Sequence, residues 1–200
     1  TNGELLSAEP FEKVNWASHV DMKTGRPVET EVSQRVRAGE QIELWPGQWG
    51  GKNWAHASFN PETGLLYANT MHNPRLVKFE PVEYKPGQRY VGLQNAPAAA
   101  VPFRPIAHVD AVEPLTGKQK WRTPIMDIPH YSAVLTTAGG LLFTGKETGE
   151  FVAYDLDNGN LLWQFQTTSG INAQPITFTH KGRQYVAIQS GLGGVNVVRM

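Results

Sequence analysis

The residue types that could carry chemistry are present in this sequence, but they form no recognised motif. The six histidines occur singly, and none lies in a known metal-ligand spacing with a second histidine or a carboxylate. The chain contains no cysteine, which excludes disulfides, thiolate metal sites and cysteine nucleophiles within it. The residues taken by themselves therefore show no complete reaction centre.

Two short stretches match binding motifs only in part. The stretch DLDNGN from Asp155 begins like a calcium loop, but Asn160 and Gln166 stand where that loop requires Gly and Glu. The stretch GLGGVN from Gly191 resembles a dinucleotide fingerprint, but Asn196 replaces the third glycine and no helical pattern follows. We predict that the first is a turn between strands and that the second binds no dinucleotide.

The stretch from Trp45 to Tyr67 is the most unusual in composition. It reads WPGQWGGKNWAHASFNPETGLLY and holds three tryptophans among four glycines, directly before a turn and an apolar strand. Such flat side chains can serve as walls for a ligand, or they can be docking or core aromatics. The residues leave both interpretations open.

Charge and composition exclude several classes of partner. Eighteen basic and 18 acidic residues cancel without long runs of either sign, so we expect no nucleic acid or anionic lipid partner. No apolar run approaches the roughly 18 residues that a transmembrane helix needs. The first residues, TNGELLSAEP, lack both an initiator Met and signal-peptide features, so we expect a mature or excised piece of a longer product.

Short strands dominate the pattern, and they recur. From Ala133 to Phe165, β-branched and aromatic segments are interrupted at 138–140, 146–149 and 157–159, which predicts a meander of four strands. Gly117 and Gly159 each end a polar turn and precede a tryptophan by four residues, with 42 residues between the two glycines. Weaker copies of the turn contain Gly64 and Gly25.

This repeat predicts an all-β fold, a β-propeller of four-stranded blades in which the outer strand carries a docking aromatic. Two unrelated hairpins are the alternative. We predict one partial propeller domain over residues 1–200, with room for about four blades and an incomplete blade at each end. The proline-rich segment at about 73–106 is predicted to be a loop excursion without a central strand, either contacting a ligand or having no role.

The residues from Thr136 to Gly194 closely resemble a known family. Their order of Thr-Ala-Gly-Gly, turn, tryptophan and Gly-Leu-Gly-Gly is similar to the carboxyl-terminal part of pyrroloquinoline-quinone (PQQ) dependent alcohol dehydrogenases of the methanol and ethanol type. The opening residues and the GGKNW and FNPETGLLYANT segments resemble the preceding part of the same proteins. The resemblance extends over most of the chain except the proline-rich segment.

The resemblance implies an eight-bladed propeller, of which this chain would be the carboxyl-terminal arc. It also implies oxidation of a small alcohol to an aldehyde by PQQ above a calcium or lanthanide ion, with electrons passing to a cytochrome c or a similar acceptor, in the periplasm. The alternative is a non-catalytic propeller of the same repeat, used as a scaffold for protein interaction.

The resemblance assigns cofactor binding to Asn53, Trp54 and Tyr131. Asn53 matches a family asparagine whose amide bonds the quinone, while Trp54 and Trp49 would supply flat walls, and Gly50 and Gly51 would let the backbone approach. Tyr131 stands where the family has a tryptophan, so its phenol must replace the indole N–H or that bond is lost.

The resemblance also implies that several functional residues lie outside these 200 residues. Val195 stands where the family often has a tryptophan near the substrate, which leaves substrate size open. The metal ligands, the catalytic Asp, the adjacent-cysteine disulfide and the basic residue at the quinone oxygens are all expected upstream of Thr1. We therefore assign no catalytic residue and no metal ligand here. We expect the isolated chain to show no dye reduction with PQQ, calcium and ethanol.

Overall fold

The computed structural model of the protein describes residues 2–88, 90–97, 105–126 and 130–193. Its contacts divide the chain into two compact units. The first comprises 1–51, 72–103 and 115–117, and the second comprises 52–71, 104–114 and 118–200. The second unit contains all three predicted cofactor-binding residues, so it is described first.

Two four-stranded antiparallel sheets and a hairpin form the second unit. The first sheet has the order β4-β5-β8-β9, with β4 Ser58–Asn60, β5 Leu65–Met71, β8 Ala107–Val112 and β9 Gln119–Met126. The next sheet has the order β10-β11-β12-β13, with β10 Leu135–Thr136, β11 Leu141–Gly145, β12 Glu150–Asp155 and β13 Leu161–Gln166. The hairpin is β14 Ile176–His180 with β15 Arg183–Ala187. The predicted meander of four strands is confirmed.

Two of the hairpin turns, at Asn60 and at Asp155, share one local mechanism. The side-chain oxygen of Asn60 accepts the backbone N–H groups of Glu62 and Thr63, and Gly64 closes that turn with a φ of 69°. Asp155 accepts the N–H groups of Asp157 and Asn158 in the same way. Asn and Asp favour such turns because their side chains satisfy the backbone locally. The turn prediction for DLDNGN is therefore confirmed.

One proposed copy of the repeat is wrong. Gly117 and Gly159 do precede the last strands of their sheets, whereas the Gly64 turn joins the first two strands, β4 and β5. The same turn chemistry operates between the first two strands of one sheet and between the last two strands of the other, so the Gly motif by itself does not identify the strand that follows.

A shared apolar core joins the two four-stranded sheets. Tyr67 and Val109 enter it from the first sheet, and Leu142, Val152 and Tyr154 enter it from the second, all almost fully buried. Burial raises the pKa of Tyr154 to about 12, so its phenol remains neutral in the core. Strands β5, β8 and β12 are buried along nearly their whole length. Because successive side chains point to opposite faces of a sheet, these strands are covered on both faces.

Trp121 is the docking aromatic that the repeat predicted. Its Nε1–H donates to the carbonyl of Leu156, 3.1 Å away, in the turn of the neighbouring sheet. The Thr123 hydroxyl donates to the Gly159 carbonyl at 2.7 Å. A Cβ at Gly159 would lie 2.3 Å from Thr123 Oγ1 and 2.7 Å from the Trp121 ring, so only glycine permits this approach.

We expect Gly159→Ala to destabilise the protein by about 2 kcal/mol, from left-handed backbone strain and from overpacking against Trp121. Gly140→Ala is the matched control, because its φ of 77° carries the same strain while a Cβ there would meet nothing within 4 Å. Gly140→Ala should lower the free energy of unfolding by about 1 kcal/mol. Urea unfolding of both variants makes the comparison, and equal losses would contradict the docking role of Trp121.

The first unit contains two smaller sheets and a short helix. Strands β1 Ala17–Asp21 and β2 Arg26–Glu29 form a hairpin, and β3 Ile42–Leu44, β6 Arg75–Phe79 and β7 Leu93–Pro97 form a sheet in the order β3-β6-β7. The helix α1 Glu31–Arg37 has no buried residue. It was absent from the sequence prediction because seven residues are too few to show helical periodicity.

The expectation that the proline-rich segment has no central strand is wrong for residues 75–79. Strand β6 is the middle strand of its sheet, paired with β3 on one side and β7 on the other. Its residues contain no proline, since Pro74 and Pro81 lie just outside its ends. Residues 98–104 lie outside the described ranges, and the extent of the excursion stays a prediction.

Candidate functional site

Three chain segments that each precede the first strand of a sheet lie side by side in the second unit. The N–H of Val134 donates to the carbonyl of His56, and the N–H of Ala133 donates to the carbonyl of Ala173. The Ser132 hydroxyl donates to the same Ala173 carbonyl at 2.8 Å. These bonds bring together residues that are about 40 and 80 positions apart in the sequence.

Trp54 and Tyr131 meet where the first two of these segments lie together. Their ring centroids are 6.3 Å apart and their planes differ by 11°, an arrangement typical of parallel aromatic pairs. Trp54 is 60% exposed, whereas Tyr131 is 8% exposed. The pair therefore presents one open indole that rests on a buried phenol ring.

Asn53 lies beside this pair, with its side chain held by the local backbone. Its Oδ1 accepts the N–H of Trp54 at 2.8 Å, and the residue is half-buried. The Lys52 ammonium donates to the backbone carbonyls of Asn53 and Ala55, and burial lowers its pKa. Lys52 thus secures the loop that carries Asn53 and Trp54, a role that the sequence did not reveal.

A cavity of about 590 Å³ opens against Trp54. The other lining residues come from the segment before β14 and from the chain after β15, and the full described lining is Trp54, Asn172, Ala173, Gln189, Gly191, Leu192 and Gly193. The Asn172 Nδ2 donates to the Leu192 carbonyl at 3.1 Å, which joins the two sides of the wall. Residues 191–193 of the GLGG stretch therefore line a cavity, whereas Gly194 and Val195 lie outside the described residues.

The other two tryptophans of the unusual stretch lie in the first unit and are held by side chains there. Trp45 is buried, its ring is 4.6 Å from that of His72, and Lys13 lies 4.2 Å above it. Arg75 covers the ring of Trp49 at 4.2 Å. Trp45 is therefore a core aromatic, one of the two alternatives that the sequence left open. One face of the Trp49 ring is covered by the Arg75 guanidinium.

Gly51 is packed closely by its own chain. A Cβ there would lie 2.9 Å from the Cβ of Glu12 and 3.3 Å from the ring of Phe11. The missing side chain is thus required by the packing of the chain itself, and the approach of a ligand at that position stays a prediction. Sequence gave no sign of this contact because Glu12 is some 40 residues away.

Buried polar side chains behind Tyr131 were also missed. His130 and Glu147 form a fully buried pair, with 2.9 Å between Nδ1 and Oε2. Across the described residues, no group of three or more His, Asp or Glu side chains is arranged to hold a metal ion. Likewise, none of the helices in the described ranges is long and apolar enough to cross a membrane.

Comparison with known proteins gives a consistent result. Residues 105–186 match the family model described as glucose/ethanol/alcohol dehydrogenase, beta-propeller domain, of the PQQ type. Quinohemoprotein alcohol dehydrogenase ADH IIB from Pseudomonas putida is 41% identical over 98% of this chain. The 1-butanol dehydrogenase (quinone) of Thauera butanivorans is 37% identical over 95% of it.

Solved structures agree with these sequence relatives. A europium-containing methanol dehydrogenase superposes on 96% of this chain with a TM-score of 0.85 and 34% identity. The quinohemoprotein alcohol dehydrogenase from Comamonas testosteroni gives a TM-score of 0.82 over 98% of the chain, with 32% identity. The chain spans only 28% of the first of the curated relatives named above and 31% of the second. The predicted resemblance and the predicted propeller fold are confirmed.

Proposed function

Because this chain is related to the PQQ-dependent alcohol dehydrogenases along nearly its whole length, we propose that it is a segment of such an enzyme. The enzyme oxidises an alcohol to an aldehyde and passes the electrons to a cytochrome c or a similar acceptor. The chain spans about three tenths of its relatives, which supports its role as one part of a longer propeller. We place the enzyme in the periplasm on the resemblance, and fractionation of the source cells tests that location.

The observation that carries the proposal is the open indole of Trp54 in the wall of the cavity, resting on Tyr131. PQQ is a flat fused-ring quinone, and an exposed aromatic face beside glycines is the type of surface on which such a ring stacks. Gly191 and Gly193 contribute no side chain to the same lining. These residues therefore fit the cofactor.

Each of the three predicted residues has a distinct role in this proposal. Trp54 stacks on the cofactor ring and keeps water from that face, Tyr131 supports Trp54, and Asn53 offers its amide N–H groups to a quinone oxygen. When bound, PQQ supplies the chemistry by accepting two electrons from the alcohol. The calcium or lanthanide ion is assigned to residues outside this chain, as the resemblance implied.

The remainder of the propeller is the proposed partner of the outer strand β13. All six residues of β13 are exposed, including Trp163, whose place in the repeat matches that of the docking Trp121. Exposed large apolar residues in such a row are typical of a surface that another element covers.

A non-catalytic scaffold of the same repeat is the second candidate. It would account for the blades and for the docking tryptophans, but it has no need for an amide and an open indole beside a cavity. PQQ binding by the full-length protein separates the two candidates. A wild-type protein that fails to bind PQQ in the presence of calcium or a lanthanide would favour the scaffold.

The role of Asn53 can be tested with Asn53→Asp in the full-length protein. The new carboxylate can still accept the N–H of Trp54, while the amide N–H donors are lost. We expect PQQ affinity to fall about tenfold, as measured by absorbance titration of the apoprotein.

The matched control for Asn53→Asp is Asn158→Asp. Asn158 is exposed, and its Oδ1 accepts the N–H of Asn160 in a comparable local bond, within the turn between β12 and β13. This variant should bind PQQ like the wild type. If Asn53→Asp also binds like the wild type, Asn53 does not contact the cofactor.

A further inference from the structure

A buried acid and imidazole lie behind the aromatic pair of the proposed site. The side chains of His130 and Glu147 are both fully buried, and Nδ1 of the imidazole is 2.9 Å from Oε2 of the carboxylate. The second carboxylate oxygen, Oε1, accepts the backbone N–H of Tyr131 at 2.6 Å. One carboxylate therefore holds the side chain of residue 130 and the backbone of residue 131 together.

The carboxylate is carried by a tightly held turn. Glu147 lies between β11 and β12, where the N–H of Gly149 donates to the carbonyl of Lys146 at 2.9 Å. The same carbonyl accepts the N–H of Ile171, so the turn is also bonded to the segment before β14. A Cβ at Gly170 would lie 2.2 Å from the Glu147 carbonyl, which shows how closely this backbone approaches the turn.

The other side of the imidazole is bonded to the same sheet. Nε2 of His130 lies 3.4 Å from the hydroxyl of Thr144, which donates to the carbonyl of Ala133 at 2.9 Å. Segment 130–133 is thus attached to β11 and to the following turn by side chains on both sides of Tyr131. The direction in which Tyr131 projects its ring is set by this attachment.

Placing a carboxylate where no water reaches it is costly unless its oxygens are bonded, so such a group is an unusual choice for a loop with only a packing role. A neutral side chain could fill the same space. The two oxygens of Glu147 bond two partners at once, and one of these is the backbone N–H of the residue that stacks on Trp54.

We infer that Glu147 is a positioning residue, which, together with His130, holds Tyr131 so that its ring supports Trp54 in the ligand-binding geometry. The inference rests on the proposed function, since it names a further residue of the same site. Glu147 does not itself contact the ligand. It acts through the Tyr131 backbone, and neither the motif search nor the resemblance singled it out.

The test compares Glu147→Ala with Glu147→Gln in the full-length protein. Glutamine can still accept the Tyr131 N–H, and its amide can donate to the other tautomer of His130. We expect the alanine variant to bind PQQ about tenfold more weakly and the glutamine variant to remain within about threefold of the wild type. Amide hydrogen exchange at Tyr131 should accelerate in the alanine variant and remain slow in the glutamine variant.

Val152→Ala is the control for a general loss of stability. Val152 is fully buried in the core of the same sheet, so its truncation weakens the fold without removing a bond to Tyr131. If this variant loses PQQ affinity as Glu147→Ala does, the effect of Glu147 is one of stability, and the inference is overturned. The same holds if Glu147→Ala leaves PQQ affinity unchanged.

A double-mutant comparison identifies the route of the effect. If Glu147 acts through the aromatic pair, Trp54→Ala should remove most of the additional effect of Glu147→Ala, so the two losses are less than additive. Full additivity would overturn the inference. Failure of the wild-type protein to bind PQQ would instead remove the proposed function, a result distinct from either outcome.

Discussion

Replacing Trp54 with alanine should weaken PQQ binding to the full-length protein by about a hundredfold, the equivalent of about 3 kcal/mol. The indole is the large exposed aromatic in the described lining of the cavity, and a ligand that stacks on it would lose both the flat contact and the buried apolar area. Because the side chain is 60% exposed in this structure, the stability of the fold should change little. Absorbance titration and a thermal melt measure the two effects separately.

Two variants control this experiment. Trp54→Phe keeps a flat ring in place and should recover most of the affinity. Tyr84→Ala removes a similarly exposed aromatic from the first unit, where Tyr84 contacts Tyr90, and should leave PQQ binding unchanged. Binding of wild-type strength in Trp54→Ala would show that the cofactor does not stack on this residue. It would leave the aromatic pair as a structural contact.

Replacing Asp110 with alanine should destabilise the protein by about 3 to 5 kcal/mol. Asp110 lies on β8 with its side chain almost fully buried, and both of its oxygens are bonded by Arg122, at 2.8 Å from Nε and 2.6 Å from Nη2. The Thr70 hydroxyl donates to the same carboxylate at 2.8 Å. Removing the acid leaves a partly buried guanidinium without its bidentate partner and the Thr70 hydroxyl without its acceptor, and this accounts for the size of the loss.

The pair Glu29 and Arg37 provides the contrast. These residues also form an ion pair, but Glu29 is partly exposed and Arg37 is mostly exposed. Water screens such a pair, so Glu29→Ala should change the midpoint of urea unfolding very little. If Asp110→Ala changed the urea midpoint equally little, the bonds that join Thr70, Asp110 and Arg122 would not stabilise the first four-stranded sheet.

Local features of the sequence were sufficient to predict the four-stranded meander and the turns of the second unit. The Asn60 and Asp155 turns are determined within five residues, because the side chain bonds the backbone of its own turn. The docking role of Trp121 followed from the repeat, since an outer strand of a propeller blade packs against the neighbouring blade. The resemblance added the family, and it predicted that Asn53, Trp54 and Tyr131 belong to one cofactor site.

Other features could not be read from the sequence because they depend on distant contacts. Strand β6 becomes a central strand by pairing with β3, more than 30 residues earlier, and Gly51 is fixed by Glu12. The roles of Lys52 and Glu147 depend on which carbonyl or N–H group the fold brings to them. None of these contacts leaves a periodic or local pattern in the chain.

By itself, the sequence determined the repeating strands, their turns and the residue types offered to a flat ligand, since these depend on side chains acting on their own backbone. The tertiary structure decided which aromatic faces the cavity and which is covered, because coverage depends on the segment that folds against each ring. Trp45 and Trp54 share one glycine-rich stretch, yet one is buried and the other is open. Their neighbours in space, rather than in sequence, make that difference.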